Sequence, residues 1–138
     1  MTQTDQQAIE RLNPDGLAVA MGYCQVTAAR GNRMVHVSGQ VGINAEGELV
    51  GPDHRPQIEQ AMRNVRLALE AAGASIHDAV KSTVYVVDLS PEVLGNFAQA
   101  SAAVYGADQP IMAVTLIGIA ALPDPRCKVE IEATAVLP

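Results

Sequence analysis

Between Val129 and Ala135 apolar and polar residues alternate one for one: Val129, Ile131, Ala133 and Ala135 are separated by Glu130, Glu132 and Thr134. A strict period of two belongs to an extended strand, whose successive side chains point to opposite faces of a sheet. Such a strand needs a cover for its oily side, so the chain is constrained to a sheet with one backed face. The other face asks for an explanation. Glutamate is depleted in strands, and Glu130 and Glu132 would stand ~7 Å apart on one side. They serve solubility if that face meets water, and chemistry if it lines a site.

The same split recurs upstream. Residues 23–41 read as two strands joined at Gly31-Asn32, a pair suited to the tight turn of a hairpin. In that register Tyr23 opposes Gln40, Gln25 opposes Ser38 and Thr27 opposes His36, all on one face, with Cys24, Val26, Val35, Val37 and Val41 on the other. Residues 44–47 form a second turn, and 48–50 a short returning strand. A helix follows, with Pro56 at its first position, a stripe of Ile58, Ala61, Met62, Val65, Leu69 and Ala72, and Gly73 as its stop. Residues 79–89 read as a strand. Ser90 as N-cap and Pro91 then open a second helix with Val93, Phe97, Ala100 and Val104 on one side and Gly106 at its end. The apolar run at 111–122 reads as a strand buried on both faces, and 127–136 is the last strand.

The order ββ(β)αβαββ defines an α+β class: one sheet with two helices on its oily face. By length, residues 1–138 form a single domain. Its first twelve residues are polar and expected to be loosely ordered. The polar face, with Tyr23, Gln25, His36, Ser38, Gln40, Glu130 and Glu132, is left uncovered in a monomer and lined in an oligomer.

Several function classes drop out. The longest apolar run is too short to span a bilayer, which argues against a membrane partner. A net charge of −6 with one Phe, three Tyr and no Trp offers neither the basic footprint nor the stacking platform that nucleic acids need. Cys24 and Cys127 show no pairing or ligand spacing, and the opening residues lack a basic-then-apolar signal, so a cytoplasmic protein with free thiols is expected. His54 and His77 stand in loops without companion ligands, which argues against a metal site.

The segments "GYCQ" (22–25), "VSGQV" (37–41), "QIEQAMRNVRLALEAAGAS" (57–75), "DAVKSTVYVVDL" (78–89), "NFAQASAAVYG" (96–106) and "ALP…KVEIEATAV" (121–136) follow one another in an order that resembles the Rid/YjgF family, also called L-PSP endoribonuclease-like. The resemblance implies a chorismate-mutase-like protomer, a homotrimer whose sheets form a central barrel, and ligand clefts between subunits. It also implies cofactor-independent hydrolysis of reactive enamines or imines, such as 2-aminoacrylate, to a 2-keto acid and ammonia. On that resemblance Glu130 takes the place of the glutamate that positions or activates water, Tyr23 that of a cleft tyrosine, and Ser38 with Gly39 the "SG" positions. The family's carboxylate-binding arginine has no counterpart. Counted from the proline its position holds Met112, counted back from "ALP" it holds Val114, and no Arg or Lys occurs between Lys81 and Arg126. Arg126, in a Pro-rich turn, is the remaining candidate, acting from a neighbouring subunit.

Glu130 in such a cleft, near Glu132, suits general acid/base work. Either glutamate alternatively pairs with a base such as Lys81 or Arg33. Ser38 lacks a partner base and reads as a hydrogen-bonding group rather than a nucleophile. His36 reads as structural, Asn96 as a cap, subunit or ligand contact, and Cys127 as an apolar filler. The leading expectation is a trimeric hydrolase or deaminase acting on a small imine- or carbonyl-type metabolite. The alternative is a non-enzymatic small-molecule-binding or chaperone-like trimer, while ribonuclease activity is opposed by the acidic charge.

Overall fold

Both helices form where their apolar periodicity places them, and the second also starts at its expected cap. The computed structural model describes residues 8–138. Helix α1 spans His54–Ala71 and buries Ile58, Ala61, Val65 and Leu69, with Gly73 in a left-handed conformation (φ 81°) just beyond it. It starts two residues ahead of Pro56, which is tolerated because the first-turn amides have no intrahelical acceptor. Helix α2, Pro91–Tyr105, opens with the Ser90 hydroxyl accepting from the Val93 amide at 3.2 Å and buries Val93, Ala100 and Val104. Gln57 is an addition to the α1 stripe that periodicity could not supply, because it is polar and yet fully buried.

Four strands make the main sheet: β3 (Arg33–Gln40), β4 (Ala79–Val87), β5 (Ala113–Ile119) and β6 (Val129–Leu137), in the order β3-β6-β4-β5. β6 runs antiparallel to both neighbours, and β4 and β5 are parallel, connected through α2. The oily alternation of β6 does what its period demands. Val129, Ile131, Ala133 and Ala135 join Val84 and Val86 of β4, Val37 of β3 and the two helix stripes in one core. Fully burying a side chain such as Ile58 or Leu69 contributes about 2 kcal/mol.

The expected hairpin across Gly31-Asn32 does not form. β2 (Val26–Arg30) pairs with β1 (Ala8–Leu12), with Ala8 opposite Arg30 and Leu12 opposite Val26. β3 pairs with β6, with His36 opposite Thr134, so Tyr23 and Gln40, Gln25 and Ser38, and Thr27 and His36 are not partners. Gly31 and Asn32 instead make a corner between sheets. The Asn32 amide donates to the Leu137 carbonyl at 3.0 Å, and a methyl group on Gly31 would run into that same carbonyl. Of the segment expected to be loosely ordered, residues 8–12 are strand β1, and residues 1–7 lie outside the described residues. The β1–β2 ribbon is pinned where β4 and β5 begin: Arg11 donates to the carbonyls of Ile111 (2.7 Å) and His77 (3.0 Å), and the Thr27 hydroxyl to that of Val80 (2.7 Å). Residues 48–50 contribute only a bridge from Leu49 to Ile43. β5 is not buried on both faces. It is an edge of its sheet in the protomer, with Thr115, Ile117 and Gly118 exposed.

Candidate active site

Strand register decides which side chains meet on the face away from the helices. Tyr85 of β4 stands opposite Glu130 of β6 and, on its other side, opposite Ile117 of β5. One row therefore runs Glu130, Tyr85, Ile117, and Gly39 of β3 lies against its near end. Gly39 is needed there: a Cβ would collide with the Glu130 side chain from Cγ to the carboxylate. Among the described residues the Glu130 carboxylate has no hydrogen-bond donor. Glu132 differs, since the Tyr85 hydroxyl donates to its Oε1 at 2.8 Å. That hydrogen bond, then desolvation, then the negative charge of both glutamates hold the Tyr85 phenol above its ordinary pKa. Glu132 is thus partnered by a phenol, not by Lys81 or Arg33.

Further along the face, His36 Nδ1 and the Thr134 hydroxyl are 3.2 Å apart, and Lys81 Nζ donates to the Thr115 hydroxyl at 2.8 Å. His36, Lys81, Thr83, Glu132 and Thr134, with Val37 and Ala133, line a cavity of roughly 180 Å³. A larger cavity of about 670 Å³ lies past the start of β6, between residues 47–52 and Arg126 and Lys128. Both of its cations are occupied. Arg126 grips Asp124 through Nε (3.1 Å) and a terminal nitrogen (2.8 Å), and these bonds hold the Asp124 carboxyl down to about 2. Lys128 Nζ lies 2.7 Å from Asp88.

The sequence-derived residues are only partly gathered. Glu130, Ser38 and Gly39 share one region, Ser38 being exposed and Gly39 half-buried. Tyr23 is half-buried and precedes Cys24, which bridges to Ala113 at the start of β5. Four residues of β5 separate that point from Ile117, which puts Tyr23 more than ~13 Å along the strand direction from the Glu130 row. Met112 is buried, its carbonyl accepting from the Cys24 amide at 3.0 Å, and Val114 packs on the core from the helix side. Neither shares a face with Glu130. Asn96 is half-buried on α2, and Cys127 is buried with its thiol pushed up by desolvation. Tyr85 and Ile117 were not singled out from sequence. The alternation in "KSTVYVV" marks a polar face for β4, but its register against β5 and β6 is not encoded locally. Among the described residues no three His, Cys, Asp or Glu side chains are gathered as a metal would require, and no helix is long and apolar enough to cross a membrane.

A mixed four-stranded sheet backed by two helices, whose open face sets against a glycine a carboxylate with no donor among the described residues, defines an α+β protein. This chain belongs to the Rid/YjgF family: the family model described as Endoribonuclease L-PSP matches residues 14–137. It is 36% identical over 104 residues to the 2-iminobutanoate/2-iminopropanoate deaminase of Salmonella typhimurium, covering 75% of this chain and 79% of that one. A RutC family protein of Pyrococcus abyssi is 41% identical over 64 residues, 46% of this chain, and the match spans about half the length of that relative (50%). Among solved structures, the Rid family protein YyfB of Yersinia pestis superposes with a TM-score of 0.84 at 38% identity, covering 94% of this chain and 98% of that one. The Escherichia coli YjgF gene product gives 0.67 at 32%, covering 92% and 98%.

Proposed function

We propose that this chain assembles as a cytoplasmic homotrimer and hydrolyses a small, reactive imine- or carbonyl-type metabolite in clefts between its subunits, without a cofactor. The observation that carries the proposal is the Glu130 carboxylate, which lies over Gly39 with no donor among the described residues while its neighbour Glu132 is held by Tyr85. A carboxylate in that state can take a proton from water as the water oxygen bonds to an imine carbon, then return the proton to nitrogen. Water adds across C=N, the C–N bond breaks, and a carbonyl compound and ammonia leave. Ser38 and Gly39 line the cleft. Tyr23, too far from Glu130 within one protomer, comes from a neighbour. Met112 and Val114 act from behind, by packing β5 onto the core. The names of the deaminase relatives support imine hydrolysis as the chemistry. Among the described residues no cation stands in the Glu130 row, which argues against 2-aminoacrylate as the substrate.

The test couples a serine dehydratase to the purified protein and follows keto-acid release with semicarbazide competing for the imine, in parallel with imines of uncharged aldehydes. Wild type should match the protein-free control on 2-aminoacrylate and accelerate hydrolysis of an uncharged imine. Glu130→Gln keeps shape and hydrogen bonding but deletes the base, so it should abolish that acceleration and leave assembly intact. Undiminished turnover by Glu130→Gln would make the residue structural. Ligand binding without turnover in wild type would favour the binding-trimer reading.

A further inference from the structure

On the face that carries Lys81, Thr83, Tyr85, Thr115, Glu130 and Glu132, two large apolar side chains are left exposed: Met34 of β3 (62%) and Ile117 of β5 (40%), and only Ile117 stands in the row of Glu130. Register gives it a definite place. Ile117 is paired with Tyr85, which is paired with Glu130, so its backbone lies two strand spacings, about 10 Å, from that of the carboxylate. A small ligand over Tyr85 would touch both ends of the row. We propose that Ile117 sets the substrate class of the Glu130 site: an uncharged imine or carbonyl compound whose alkyl group lies on Ile117, with imino acids rejected. The inference rests on the Glu130 reading above and adds to it the residue that selects.

Three observations support it. First, the two lysines of this face flank the row rather than enter it: Lys81 donates to Thr115, one outward position before Ile117 on β5, and Lys128 to Asp88. Second, Glu130 and Glu132 put two negative charges beside the ligand. A third at ~6 Å from either, in a partly screened site, would cost on the order of a hundredfold in affinity. The 2-iminobutanoate and 2-iminopropanoate named for the relatives carry such a charge. Third, Met112 and Val114 lie on the core side of β5, so an arginine there would be aimed into the apolar layer, whereas position 117 opens onto the ligand face.

The experiment measures binding by calorimetry, which does not depend on turnover, using 2-oxobutanamide and 2-oxobutanoate as an uncharged and a charged probe of equal size. Wild type should hold the amide at least tenfold more tightly than the acid. Ile117→Arg should reverse that order, and Val114→Arg should destabilise the protein without gaining affinity for the acid. Ile117→Ala, which changes no charge, should weaken the amide about tenfold and provides the test if the arginine variant does not fold. The proposal is overturned if wild type binds the acid as tightly as the amide, if folded Ile117→Arg keeps the wild-type order, or if Ile117→Ala binds both probes unchanged. Binding of neither probe to wild type overturns it as well, together with the site. The stated preference without any hydrolysis would refute the hydrolase reading and leave this inference standing.

Discussion

Gly39 is required by its neighbour rather than by its own backbone: its φ is not left-handed, so alanine could adopt the same conformation. What forbids a side chain is the Glu130 carboxylate lying where the Cβ would go. The obstacle is the end of a flexible side chain, so Glu130 would swing aside while the sheet stayed intact. Gly39→Ala should therefore unfold within ~1 kcal/mol of wild type in urea. Its turnover should fall on the order of a hundredfold, because a general base displaced by an ångström loses its alignment. Parallel denaturation and rate measurements check this, and full activity would show that Glu130 need not occupy its observed place. Tyr85 supplies the contrast within the pair of glutamates: it donates to Glu132, and Glu130 is left with no donor among the described residues.

At the scale of elements, Gln57 ties α1 to the two segments that frame the larger cavity. Its Nε2 donates to the carbonyls of Gly51 (2.8 Å) and Arg126 (3.1 Å), and its Oε1 accepts from the Lys128 amide at 2.7 Å. Gly42 packs so closely on Gln57 that a side chain there would strike its backbone. Gln57→Ala strands three backbone groups and should cost about 3 kcal/mol in equilibrium unfolding, with faster amide exchange confined to residues 47–52 and 126–128. Unchanged stability would mean that water replaces the amide. The helices were legible in sequence because Ser90, Pro91, Gly73 and the apolar stripes act within a few residues of one another. Strand partners are another matter. Gly31-Asn32 suits a hairpin turn, but Ala8–Leu12 outcompetes β3 for β2, and β6 takes β3; no local signal announces pairings across a hundred residues. For the same reason Glu130, Ser38 and Gly39 were readable, whereas Ile117 acquires its meaning only from the β4–β5 register.

The whole molecule leaves two kinds of surface that a lone protomer has no use for. One is the face bearing Glu130. The other is the loop between β1 and β2, where Leu17, Val19 and Met21 are 54%, 87% and 85% exposed. Scattered apolar residues are ordinary, but three within five positions of one loop are a patch. Together with the distance from Tyr23 to Glu130, they lead to the expectation of a trimer. Light scattering at micromolar concentration should give three times the 14.5 kDa chain mass, and a stable monomer would remove the intersubunit cleft. The position of β6 has a consequence for the order in which this fold can be assembled during synthesis. It is the last of the six strands to be made, yet it lies between β3 and β4, which do not pair with each other. Until Val129–Leu137 leaves the ribosome, β3 has no sheet partner and the β4–α2–β5 unit keeps an open edge facing the place it will fill. The main sheet therefore closes in a single late event, and up to that moment the two strand edges that β6 will cover, one on β3 and one on β4, stay open to other chains.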